Sequence, residues 1–230
     1  MQLELIIQNK REAIQAQELG ADRVELVSAI SEGGLTPSYG TIKQVLENVN
    51  IPVQIMVRPH SHHFFYTEED FQVICEDIEA IRQLGGNRIV FGALNKDRTI
   101  NEVMLSKLFH LFPALDMTFH RAFDEVASQL DAYTLLANYD RNVKRILTSG
   151  GEATCVKGLK QLIQLVDLSR DLQGPAIMPG SGLSLENIQE IKQATGAKQF
   201  HFGKAVRIEQ SFAKGFSKEV VEKVRYSLRS

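Results

Sequence analysis

Eight short segments of this 230-residue chain read as strands, six of them alternating apolar and polar sets with the two-residue period, and helical stretches with turn-forming residues separate them. They fall at 3–8, 23–27, 53–58, 88–92, 116–120, 144–149, 176–179 and 199–202. Parallel strands need crossovers of a dozen or more residues, and the spacing supplies them, so the pattern predicts a parallel (β/α)8 barrel of the TIM type, α/β in class. A single domain over 1–230 is expected, since one barrel uses a chain of this length.

Side-chain parity sharpens the prediction. In strands one to five and in strand eight one alternate set is apolar, while the other holds Glu4, Gln8, Arg23, Glu25, Gln54, Met56, Arg58, Arg88, Thr118, His120, Gln199 and His201. An open doubly wound sheet is the competing topology, but its strands are covered on both faces and read as continuous apolar runs. With the apolar set facing the helices, the barrel interior is polar.

The helical stretches carry their own signals. Asn9 with Glu12 offers a capping box for a helix closing at Gly20, and Thr67 precedes the acidic first turn Glu68, Glu69 and Asp70. Cys75 falls on the apolar stripe of that second helix, with Phe71, Ile74, Ile78 and Ile81. A helix after strand six is expected to carry Cys155, and one after strand seven to be capped at Ser184. The two cysteines form no motif, and Cys155 is read as core, or as a reactive thiol near the amino end of its helix.

Candidate chemistry is sorted by position along the strands. Residues leaving the carboxyl ends of barrel strands meet ligand, whereas those at the starts serve stability. Glu4, Arg23 and Arg88 stand at strand starts and are expected to pair with one another. Glu25, Arg58, His120 and His201 stand further along. The fifth strand ends in the densest cluster of titratable groups, His120, Arg121 and Asp124, within DMTFHRAFD. A carboxylate, a guanidinium and imidazoles at one mouth can serve as base, anion clamp and proton shuttle. The alternative is an interior ion-pair network without turnover.

Two glycine loops follow strands six and seven, Ser149-Gly150-Gly151 and Gly180-Ser181-Gly182. Glycine lets backbone N–H groups approach an anion, so the pair is read as a cradle for a phosphorylated or carboxylate ligand. His60, His62 and His63 form a candidate metal group in the loop after strand three, with Met56 and Met178 expected near the same rim.

A formal net charge of −2 and a pI near 6.3 leave no basic footprint for nucleic acid. No apolar run approaches bilayer length, and the first residues lack the pattern of a secretory leader, so no membrane association and a cytoplasmic location are expected.

Six stretches, GADRVELVSAISEGGLTPSYG, VQIMVRP, IVFGAL, MTFHRAFD, RILTSGG and IMPGSGL, resemble the CutC copper-homeostasis family in content and order, from Leu3 to about Lys204. The resemblance implies a TIM-type barrel, a cytoplasmic homo-oligomer and a role in copper tolerance, with copper as the possible cofactor. Family members commonly carry cysteines proposed to hold Cu(I) where this chain has Ile6 and Val27, and an Arg-Gly-Gly-Asp loop where it has His60-Ser61-His62-His63. The rim of Glu25, Arg58, His120, Arg121 and Asp124 matches the family pattern and resembles an enzyme site of unassigned reaction.

Overall fold

The computed structural model describes residues 1–229. Eight strands, β1 (Gln2–Ile7), β2 (Arg23–Leu26), β3 (Val53–Met56), β4 (Arg88–Phe91), β5 (Asp116–Phe119), β6 (Val143–Thr148), β7 (Ala176–Pro179) and β8 (Gln199–Phe202), alternate with eight α-helices. These are α1 (Lys10–Glu18), α2 (Tyr39–Leu46), α3 (Glu68–Gln83), α4 (Glu102–Leu111), α5 (Gln129–Ala137), α6 (Leu159–Asp171), α7 (Ile188–Thr195) and α8 (Lys218–Arg229). Every ladder is parallel, in the order β7-β6-β5-β4-β3-β2-β1-β8, so the expected barrel forms.

Strand parity separates two apolar regions. Leu3, Leu5 and Ile7 of β1, Ile89 and Phe91 of β4, and Phe200 and Phe202 of β8 join the helix stripes in one outer core. Each fully buried leucine or phenylalanine there contributes about 1.5–3 kcal/mol. Val27, Met56 and Val90, with Ile6 and Ile30 packed on them, form a small separate cluster inside the barrel.

Charged groups fill the lower interior. Arg23 pairs with Glu4, as expected, and also reaches Gln199 at 2.8 Å. Arg88 does not join that pair. It lies 3.4 Å from Asp116, the carboxylate that also holds Arg145 at 2.8 Å. Met178 is likewise displaced from its expected place at the rim, because its sulfur packs 3.2 Å from Arg23 among these lower charges.

Several local expectations are corrected. The Thr67–Asp70 box forms in both directions, but at Asn9 only half forms: Asn9 accepts from the Glu12 amide, while the Glu12 carboxylate turns to Gln8 N and Arg207. Helix α6 starts at Leu159, leaving Cys155 in the turn before it. Helix α7 starts at Ile188, and Ser184 donates its amide to Asn187 Oδ1 rather than capping the helix.

Candidate functional site

The carboxyl ends of the strands enclose a cavity of about 400 Å³, lined by Glu25, Arg58, His120, Arg121 and His201 among others. Its apolar wall includes Ile6, Val27, Met56, Phe64, Leu147 and Phe212. A mostly apolar pocket with a few convergent polar groups is what a small-molecule site requires.

On one side stands a line of three buried groups. His201 Nδ1 lies 2.7 Å from Glu4 Oε1, and its Nε2 lies 3.2 Å from Glu25 Oε2. Burial alone would raise the Glu4 carboxyl, but the charge of Arg23 and the contact with His201 overcome it and hold Glu4 well below the usual carboxylate range. Glu25 lacks such a partner. Burial pushes it up to about 7, against the pull of His201 and with a further push from Glu4. For His201 burial acts downward, yet Glu25 and Glu4 outweigh it and the imidazole is raised. Glu25 and His201, each raised and 3.2 Å apart, can pass a proton between carboxylate and imidazole, which suits general acid–base work.

His120 has the opposite electrostatics. Burial, reinforced by the Arg58 charge, pushes it down to about 3, so the ring is neutral. Its Nδ1 accepts the Ala122 amide at 3.1 Å, which leaves the proton on Nε2. That Nε2 is buried without a hydrogen-bond partner among the described residues. Gly92 permits this placement: a Cβ there would lie 2.8 Å from His120 Nδ1.

Arg58 is held by carbonyls. Nη1 donates to Glu32 O at 3.2 Å and Gly34 O at 3.4 Å, Nη2 donates to Ser61 O at 3.2 Å, and the guanidinium lies 4.6 Å from the centre of the Phe64 ring. Among the described residues it pairs with no carboxylate within 4.0 Å, although it is only 7% exposed. An arginine buried in this way keeps its charge and lacks a counter-ion, which an anionic ligand can supply.

The anion cradle is half as large as the glycine pattern suggests. The amides of Ser149 and Gly151 donate to Asp124 Oδ1 at 3.0 and 3.1 Å, and Gly150 donates to Thr148 Oγ1 at 2.9 Å. The chain's own Asp124 carboxylate thus fills the first loop. It also receives Arg121 Nε at 2.7 Å, so Asp124 fixes Arg121 at the mouth instead of facing the cavity as a catalytic group. In the second loop Gly180 N is bonded to Thr148 O, whereas the amides of Ser181, Gly182 and Leu183 donate to nothing among the described residues, and all three residues line the cavity. Sequence reasoning missed Gly92, Phe64, Leu183 and Lys204. For Gly92 a signal existed, because it directly follows β4 at a carboxyl end.

The loop imidazoles do not converge as a metal site. The His60 and His62 rings stack 5.3 Å apart, His63 stacks on Phe65 at 3.8 Å, and His60 leans toward Asp70 at 3.7 Å. Among the described residues only Glu4, Glu25 and His201 bring one ligand atom each within 4.8 Å of one another. That set consists of carboxylate and imidazole, with Glu4 already held by Arg23, and it does not suit Cu(I), which favours thiolate and thioether. Cys155 is no alternative: its buried thiol is pushed up to about 12 and donates to Gly180 O at 2.7 Å. Cys75 lies in α3, partly buried against the outer core, and its thiol too is raised by burial.

Comparison with known proteins bears on the assignment. The sequence pattern that defines the CutC family matches residues 1–206. The human copper homeostasis protein cutC homolog is 35% identical over 199 residues, covering 86% of this chain and 71% of the human protein. The CutC family protein of Salmonella typhimurium is 38% identical, covering 86% and 78%. The crystal structure of CutC from Streptococcus agalactiae superposes with a TM-score of 0.80 at 30% identity, covering 88% of this chain and 98% of that one. Phosphoribosyl anthranilate isomerase from Thermotoga maritima shares the fold alone, with a TM-score of 0.65 at 14% identity over 100% of this chain and 98% of that one.

Proposed function

The chain belongs to the CutC family, and from that premise we propose that it works as an enzyme, binding a small phosphorylated or carboxylate substrate in the barrel mouth and acting on it by proton transfer. The observation that carries this reading is a buried arginine without a carboxylate partner and a buried carboxyl beside an imidazole lining one cavity. Arg58 is buried without a carboxylate, and Glu25 is buried with no closer polar partner than His201. An anionic ligand supplies the counter-charge that Arg58 lacks, and Glu25 stands at the same cavity to act on it as a base. Arg58 and the open amides at Ser181–Leu183 would hold the anionic end, with Lys204 at the same edge, while Glu25 and His201 exchange the proton.

Thermal unfolding in a panel of small phosphorylated and carboxylate compounds tests this. A compound at a hundred times its Kd stabilises by about 2.7 kcal/mol, which for a chain of this size raises the Tm by about 5–10 °C. Arg58→Ala should suppress the rise. The reading is lost if no small anion shifts the wild-type transition.

The name of the human relative, a copper homeostasis protein, favours a second reading, a role in copper homeostasis, for which direct copper handling by a cytoplasmic homo-oligomer is the form proposed here. Equilibrium dialysis with Cu(I) under reducing conditions separates the two, since a protein without a thiolate site should retain no copper against a modest chelator. The structure carries no helix long and apolar enough to cross a membrane among the described residues.

A further inference from the structure

We infer that the chemistry of this cavity is enolisation: Glu25 removes a proton from the carbon beside a carbonyl in a small keto acid or keto phosphate whose anionic group Arg58 holds, and His120 donates to the carbonyl oxygen as charge develops there. The inference rests on the anion-binding, acid–base reading above and narrows it to one reaction class.

Three features of the site point there together. Glu25 accepts no hydrogen bond from backbone or hydroxyl donors; its near neighbours are the His201 imidazole at 3.2 Å and the Glu4 carboxylate, the three placing one ligand atom each within 4.8 Å of one another. A buried carboxylate beside a second carboxylate, with an imidazole but no backbone or hydroxyl donor to hold it, takes up a proton readily, as a base must. His120 presents a neutral, buried N–H with no acceptor, its tautomer fixed by the Ala122 amide. A neutral imidazole donor beside a guanidinium stabilises an oxyanion, and it gives no proton away before the transition state. Nucleophiles that would instead support covalent acyl or thiol chemistry are engaged elsewhere: the Ser181 hydroxyl donates to Ala153 O at 2.9 Å, and the Cys155 thiol to Gly180 O.

The step balances without a co-reactant. The C–H bond breaks, its electron pair forms the carbon–carbon double bond of the enolate, the carbonyl π pair moves to oxygen, and the proton comes to rest on Glu25. Return of the proton to the same carbon regenerates the substrate; return to the adjacent carbon of an α-hydroxy ketone isomerises it, with the proton of that carbon's hydroxyl passing to the former carbonyl oxygen as the new carbonyl forms. His201, held at Nδ1 by Glu4, offers that proton a second residence on the way to solvent. A cavity of about 400 Å³ accommodates a compound of a few carbons with one anionic group.

The test is proton exchange in deuterium oxide. The full chain is incubated with pyruvate and, separately, with dihydroxyacetone phosphate; proton NMR follows the signals beside the carbonyl against protein-free controls, and the Tm is read on the same samples. The two probes distinguish a carboxylate from a phosphate as the anchoring group. Exchange is expected with at least one, falling about 100-fold or more in Glu25→Gln. His120→Asn, whose carboxamide oxygen can still accept the Ala122 amide, should lower exchange about 100- to 1000-fold while keeping a cooperative melt. Undiminished exchange in either variant overturns the assignment of that residue. A probe that raises the Tm without exchanging overturns enolisation and leaves the anion site standing, whereas a probe set that neither binds nor exchanges overturns both.

Discussion

Replacing Glu25 by glutamine should change the pH dependence of folding in a direction that an ordinary ion-paired carboxylate cannot produce. The Glu25 carboxyl is raised from 4.5 to about 7, so between those values the folded state holds a proton that the unfolded state has released. Stability then falls as pH rises, by about 1.4 kcal/mol per pH unit while both conditions hold, for a total near 3 kcal/mol. His201 adds with the same sign: its folded pKa is raised, so its contribution is present below the unfolded value and is lost as pH climbs through the folded one. Glutamine removes the ionisation and keeps the shape. Urea unfolding of wild type and Glu25→Gln at pH 5 and pH 8 gives a double difference in which any constant packing cost cancels. The variant should gain about 1–3 kcal/mol relative to wild type on going from pH 5 to pH 8. A double difference of zero, or one of opposite sign, would mean that Glu25 is ionised like any paired carboxylate and that the proton-transfer reading has lost its base.

His120→Asn should act on the acid side: the wild-type ring stays neutral to about pH 3, so the wild type loses stability as pH falls below 6.5, and the variant should lose less in urea titrations between pH 6.5 and 4. Arg58→Ala should weaken binding of any identified anion by about 1.5–3 kcal/mol in calorimetry. It should also lower stability by about 1–3 kcal/mol, because the side chain bridges the carbonyls of Glu32, Gly34 and Ser61 and does not simply face the mouth. Gly92→Ala places a methyl group against His120 and should cost about 1–3 kcal/mol of stability with at least a tenfold loss of turnover, where Gly40→Ala, which meets nothing within 4 Å, should cost no turnover.

What the sequence made legible followed from periodicity. Strand parity assigned Glu25, Arg58, His120 and His201 to the interior because each strand keeps one apolar face against the helices. Stagger between strands was not legible. Glu4 looked like a strand-start residue apart from the site, yet pairing β1 with β8 sets it level with His201, and the structural ion pair and the candidate base thereby become one network. Asp124 was misread for a related reason: its position beside His120 suggested chemistry, while its carboxylate is consumed by amides 25 and 27 residues away. The glycine loops carried the right signal for a carboxylate-binding backbone, but one of the two binds a carboxylate of the chain itself. Helices α4 and α5 were not singled out, and for α5 the reason is physical: its buried residues include Gln129 and Ala132, so its apolar stripe is weak.

The measurement that bears most directly on the acid–base site is nitrogen-15 NMR of the imidazoles during a pH titration, repeated with saturating pyruvate or dihydroxyacetone phosphate. The account predicts a His120 that stays neutral with its proton on Nε2 from pH 8 to about 4, a His201 that remains protonated above its ordinary value, and a downfield shift of the His120 Nε2 proton when the anion binds. Two imidazoles that both titrate near 6.5, with a His120 proton indifferent to every anion, would contradict it.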